Sequence, residues 1–299
     1  MLSHFKGEFA ALGAAFLWAV ASLLYGRATL EIPPRTLNLI KGVLAILLFG
    51  LTLILSGSGA AAMSTMPLVL LILSGVLGIG LGDTAYFEAL KALGARRALL
   101  METLAPPLTA TIALLFLGET LTSDEWIGIG LTVCGVAWVI SEQVENDDEP
   151  YILPWRGIVF GLLAAGSQSV GAVLSRLAFT QATVSPLWSA LLRLAAGVGF
   201  LLLWSLFSRS SRTSLSYLKG AKHLWGIILF ATFFGTYLGI WLQQASLKFT
   251  NAGTAQTLLA TSQIFILLLS AGRGESISPR ALTGTAVAVI GVAVLFGIG

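Results

Sequence analysis

The 299-residue chain is 56% hydrophobic and only 10% charged, with a mean hydropathy of +0.90, whereas a soluble domain carries about 25% charged residues. Such a chain belongs in a bilayer, and its net charge of +3 is spread over cations at helix ends, which points to membrane orientation and not to nucleic-acid binding. A lone cysteine, Cys134, excludes a disulfide framework and a thiolate metal cluster.

Apolar runs long enough to cross about 30 Å of hydrocarbon fall near 8–28, 35–56, 67–92, 97–117, 125–141, 155–178, 185–207, 222–247, 254–272 and 280–298, and predict ten transmembrane helices. The first follows Lys6 and has the outline of a signal peptide, but Lys6-Gly7 returns as Arg156-Gly157 and marks it as the first helix of a repeated unit. In that helix Trp18 and Ser22, four apart, share a face. Helix 2 carries Lys41, whose long stem can snorkel.

Helix 3 contains Gly78-xxx-Gly82, a spacing that lets backbones approach, followed by Asp83 and Tyr86 on one face and by Glu88 near the interface. Glu102 lies shortly inside helix 4 at a depth comparable to Asp83. Two carboxylates so placed suit the sharing of a proton; the alternative pairs Glu102 with Arg96 or Arg97 and Asp83 with a neighbouring hydroxyl. Pro106 and Pro107 remove backbone donors mid-helix and predict a kink that serves as hinge or cavity wall, or as a structural bend. Leu117-Gly118-Glu119 then reads as a tight turn with a helix-end carboxylate, and Thr122-Ser123-Asp124-Glu125 as the cap of helix 5.

The acidic stretch 142–154 reads as a linker. Beyond it, helix 6 offers Gln168 between two serines, helix 7 offers Trp188 and the ionisable Arg193, and helix 8 has Gly235-xxx-Gly239 followed by Trp241, Gln243 and Gln244. Thr257, Thr261, Ser262 and Gln263 line up along helix 9. Gly274-Glu275 and Ser278-Pro279 repeat the turn and cap before helix 10. Trp126, Trp155 and Trp225, near helix ends, read as interfacial anchors.

These recurrences divide the chain into a first copy at 1–141, a linker at 142–154 and a second copy at 155–299. Five spans per copy turn the second upside down, so the expected fold is an all-α membrane protein of ten helices in two inverted five-helix repeats. Thirteen of the 17 Lys and Arg residues fall on one face, against Lys6, Arg176 and Lys248 on the other, which places both termini outside the cytoplasm.

The run from Pro106-Pro107 through Leu117-Gly118-Glu119 to Gly128 and Gly135-Val136 resembles the EamA-type repeat of the drug/metabolite transporter superfamily. The second copy keeps Gly274-Glu275, Gly284 and Gly291-Val292, but has Gln263 and Ile264 where the first has its prolines. The resemblance covers essentially the whole chain. It implies a ten-helix bundle in the bacterial inner membrane with a cavity lined mainly by helices 1, 3, 4, 6, 8 and 9, in a branch that exports amino acids and other small metabolites.

The expected activity is secondary transport by alternating access, without cofactor, metal or catalytic residues. The lining set is Trp18, Ser22, Asp83, Tyr86, Glu102, Gln168, Trp188, Trp241, Gln243, Gln244 and Thr261, with Asp83 and Glu102 as candidates for proton coupling. Partners are a small-molecule substrate, lipid and protons; monomer and homodimer both remain open. Nucleotide-like, phosphorylated or drug-like solutes form the alternative substrate class. A channel lacks its pore-loop signature, ATP hydrolysis lacks a Walker motif, and an intramembrane enzyme lacks a base, since the histidines are His4 and His223 in polar flanks.

Overall fold

The computed structural model describes residues 5–57, 63–140, 155–207, 222–271 and 278–295, so the expected linker 142–154 lies outside the described residues. The elements are α1 (Lys6–Glu31), α2 (Pro34–Ser56), α3 (Thr65–Ser74), a π-helical segment (Gly75–Gly82), α4 (Asp83–Glu102), α5 (Ala105–Leu117) and α6 (Ser123–Ile140). They continue with α7 (Trp155–Gln181), α8 (Pro186–Phe207), α9 (Trp225–Ala231), a second π-helical segment (Thr232–Leu238), α10 (Gly239–Phe249), α11 (Ala252–Leu259), α12 (Ser262–Ala271) and α13 (Pro279–Leu295). Among the described residues no strand occurs.

Among the described residues six helical stretches are long and apolar enough to cross a bilayer: Lys6–Glu31, Pro34–Ser56, Thr65–Leu93, Trp155–Gln181, Pro186–Phe207 and Trp225–Phe249. Ala105–Leu117 and Pro279–Leu295 are apolar but shorter. The exterior is what a lipid-solvated bundle requires: Leu47, Ile54, Phe116, Leu206 and Phe207 point outward, while the interior of α1 is filled by Ala11, Ala14, Ala15 and Ala19. Lipid tails solvate large apolar groups as well as a core does, so close packing of small residues holds the helices together.

The third and fourth expected spans are joined inside α4. Asp83 and Glu102, at its two ends, would stand about 28 Å apart in a straight helix, yet they interact electrostatically and line one cavity. The chain therefore reverses direction between Asp83 and Glu102.

Each copy lays its first helix on the other copy. From the first copy, α1 packs along α9, the second π-segment, α10, α11 and α12; from the second, α7 packs along α3, the first π-segment, α4 and α5. The glycine pairs found in the sequence sit at these crossings. A Cβ at Gly235 or Gly239 would strike Ala21 or Trp18 of α1, and one at Gly78 or Gly82 would press on Arg193 or on Ser167 of α7. The terminal helices α6 and α13 form a second seam between the copies. There a Cβ on Gly135 would meet the backbone of Gly284 and Ala288, and one on Gly291 the backbone of Gly128 and Thr132.

The expected caps form. Thr122 and Glu125 make a reciprocal capping box at α6, with Thr122 N donating to Glu125 Oε2 (2.8 Å) and Glu125 N to Thr122 Oγ1 (3.3 Å). Ser278 accepts from Ala281 N at 3.0 Å, ahead of Pro279 in the first turn of α13.

Candidate functional site

The bundle is interrupted at equivalent places in the two copies, and the interruptions surround one cavity. The π-segments Gly75–Gly82 and Thr232–Leu238 correspond at an offset of 157 residues, and so do the breaks at Thr103–Leu104 and Ala260–Thr261. Carbonyls loosened by the wider π-turns are taken up by side chains. Asn38 Nδ2 donates to Ile79 O at 2.9 Å, and Trp18 Nε1 to Gly235 O at 2.9 Å. At the second break, the Thr261 hydroxyl donates to Leu258 O at 2.6 Å.

The prolines act differently from expectation. In place of a kink within a continuous helix, the chain breaks at Thr103–Leu104, and Pro106 and Pro107 sit in the first turn of α5. Amides there have no partner within the helix, so prolines fit without loss.

The cavity encloses about 1020 Å³, open volume included, and is bordered by α1, α2, the π-segments, α4, α5, α7, α8, α10, α11 and α12. Seven of the expected residues line it: Trp18, Ser22, Asp83, Tyr86, Glu102, Gln168 and Gln243. Four do not. Trp188 and Trp241 pack instead in an apolar cluster around Leu187, Ala190, Leu194, Tyr237 and Ile240, Gln244 Oε1 accepts from Ser189 at 2.7 Å, and Thr261 is turned to its own helix end. Lining residues outside the expected set include Tyr25, Thr236, Gln256, Lys41 and Arg193.

Helices 2 and 7, which are not among the main lining helices implied by the resemblance, contribute the two cations among the described lining residues. Lys41 Nζ lies 2.5 Å from Asp83 Oδ2, with both side chains largely buried, and faces the ring of Phe87 at 4.9 Å. Asp83 is thus ion-paired, not bound to a hydroxyl. Arg193, 1% exposed, donates from Nη1 to Gln243 Oε1 at 3.3 Å. Nearby, Tyr25 bonds the hydroxyls of Thr232 (3.2 Å) and Thr236 (2.9 Å), and the Tyr86 hydroxyl lies 3.5 Å from Ser22 Oγ. Glu102 lines the same wall with Oε1 unpartnered.

At the end where α1 begins, the copies are clasped. Gly118, with φ of +66° at the C-cap of α5, turns the chain in a left-handed step that suits glycine. Glu119 does not close this turn locally but reaches the second copy. Its carboxylate accepts from Arg176 Nε at 2.5 Å and from Ala252 N, at the start of α11, at 2.9 Å. Arg176 also donates to the carbonyls of Leu247 and Lys248, each at 3.0 Å. Glu275 lies outside the described residues. The other end shows Arg156, exposed, 3.7 Å from the half-buried Glu88, and an exposed pair of His223 with Glu31 at 3.1 Å.

Two interrupted, mutually embraced copies around a cavity that combines an apolar wall with a few polar and charged side chains agree with the sequence profile of EamA-like transporters, which matches residues 5–141 and again 155–297. The chain belongs to the EamA-like transporter family. It is a multi-pass integral membrane protein and, as a family member, a transporter of small solutes. A solved crystal structure, described only as that of a protein, superposes with a TM-score of 0.74 at 18% identity, covering 99% of this chain and 98% of its own. That likeness concerns the fold. No curated protein matches the sequence.

Proposed function

We propose that this EamA-like protein is a secondary carrier that exports amino acids or related compounds across the bacterial inner membrane. Its ten spans form two five-helix units of opposite orientation with both termini extracytoplasmic, and rocking of one unit against the other exposes the cavity to each side in turn. The observation that carries this reading is the pairing of the interruptions: π-segments and helix breaks recur at one offset and all border the cavity. Irregular backbone at membrane depth is tolerated where it lines a wet cavity or is buried, and here it supplies hinges on both sides.

The lining supports a small substrate with both charges. Aromatic faces from Trp18, Tyr25 and Phe87 suit an apolar body, while Glu102, Arg193 and the amides of Gln168 and Gln243 suit polar ends. A phosphorylated or nucleotide-like solute would bring several negative charges to a lining whose described cations are Arg193 and Lys41, the latter already paired. Protons couple transport through Asp83 and Glu102, and the protein works as a monomer or homodimer in lipid.

Reconstituted vesicles test the reading with amino acids, nucleosides and phosphorylated metabolites, with and without a pH gradient. Amino-acid flux should saturate and show counterflow; flux that does neither sinks the carrier. Asp83→Asn and Glu102→Gln should each remove the dependence on the pH gradient, and a dependence left intact in both sinks the proton coupling.

A further inference from the structure

Lys41 and Arg193 hold the same place in the two copies. Each stands seven residues after the proline that opens its helix, Pro34 in α2 and Pro186 in α8, and both are buried on the cavity wall. Their surroundings differ in one decisive respect. Lys41 is met by Asp83, but the residue equivalent to Asp83, 157 positions on, is Ile240. Arg193 is left with the neutral amide of Gln243; its Nε has no hydrogen-bond partner, and no carboxylate pairs with it among the described residues.

The nearest carboxylate acting on the Arg193 guanidinium is that of Asp83, which is already paired with Lys41. A buried guanidinium without a direct partner is costly, and a planar fork of donors is best met by a carboxylate. Among the described residues no side chain supplies that carboxylate, since Ile240 stands where the second copy would carry it. Gly78 gives the guanidinium itself its place on the wall, since a Cβ there would stand 3.0 Å from Arg193 Nη2. Glu102 is the complementary half. It lines the same cavity, half-buried, with its Oε1 atom buried and unpartnered and no cation paired to it among the described residues.

We propose that the transported zwitterion lies in a fixed direction, its carboxylate on Arg193 and Gln243 in the position where the second copy lacks an aspartate, and its ammonium group against Glu102. The inference rests on the amino-acid reading of the cavity and adds the residues that grip each end. The second copy holds the acid end and the first copy the amine end. The aromatic wall is left for the side chain.

Binding to the purified protein is measured by calorimetry with three probes: L-leucine, 4-methylpentanoate, which lacks the amine, and 3-methylbutylamine, which lacks the carboxylate. Ile240→Asp gives Arg193 the internal partner that Asp83 gives Lys41, so it should keep the thermal midpoint of the parent while weakening leucine and 4-methylpentanoate about tenfold or more. It should leave 3-methylbutylamine unchanged or tighter. Glu102→Gln should weaken leucine and the amine by a similar factor and spare the acid.

Equal losses for all three probes, the reverse pattern, or a parent protein that binds none of them overturns the orientation. The expected pattern without leucine counterflow in vesicles overturns the carrier reading and leaves the orientation standing. Leucine counterflow with the pattern absent does the opposite.

Discussion

In the first copy a buried cation on the second helix meets an aspartate on the third; in the second copy the equivalent cation meets a glutamine, and isoleucine stands where the acid would be. Around these unlike contents the two frames coincide. The helices soften at 75–82 and 232–238 and break at 103–104 and 260–261, although prolines follow the first break alone. Where a chain bends is set by small residues and by what packs across them, features shared by both copies. What the bend encloses is set by a few polar side chains, which can change without moving the backbone.

The largest expected effect breaks the contents of one copy only. Asp83→Leu leaves Lys41 buried without its partner and should cost about 3–5 kcal/mol in unfolding free energy, whereas adding Lys41→Met should recover most of it. Denaturant unfolding in detergent measures both, and a double variant no more stable than the single one would refute the pairing as the cause.

The frame should respond alike in both copies. Gly135→Val and Gly291→Val each force a side chain onto the backbone of the facing helix and should destabilise by about 1–3 kcal/mol, while Gly130→Val, with nothing within 4 Å of its Cβ, should change little. A cost confined to one of the two seam glycines would mean that the seam is not symmetric. Smallest of all, Pro106→Ala with Pro107→Ala should shift stability by less than about 1 kcal/mol and retain transport, because the second copy breaks its helix without prolines. Loss of counterflow in that variant would make the prolines, not the packing, the origin of the break.

Much of the frame was legible in the sequence because local spacing encodes it. Gly78, Gly82, Gly235 and Gly239 announced their crossings, and Thr122 with Glu125 announced a cap, since such patterns act within one or two helical turns. The partners were not legible. Lys41 and Asp83 are 42 residues apart, Arg193 and Gln243 are 50, and Glu119 and Arg176 are 57; only the packing of the spans brings them together. Trp188, Trp241 and Gln244 had the right chemistry at the right depth but face away from the cavity, and a helix rotation of that kind leaves no mark in depth or composition. The reversal between the third and fourth spans was legible, because the apolar runs 67–92 and 97–117 stop short of each other.

The embrace of the two copies also governs how the molecule must be made. The partners of α1 begin at Trp225, about 200 residues of chain later, which at 5–20 residues per second is some ten to forty seconds of synthesis. Through that interval the inner face of α1, with Trp18 and Tyr25 on it, has only its own copy and lipid for company. The first half is therefore not a finished product awaiting a second; it is a waiting mould, completed when its later twin threads through it, and a chain truncated after the linker should be recognised by the cell as unassembled.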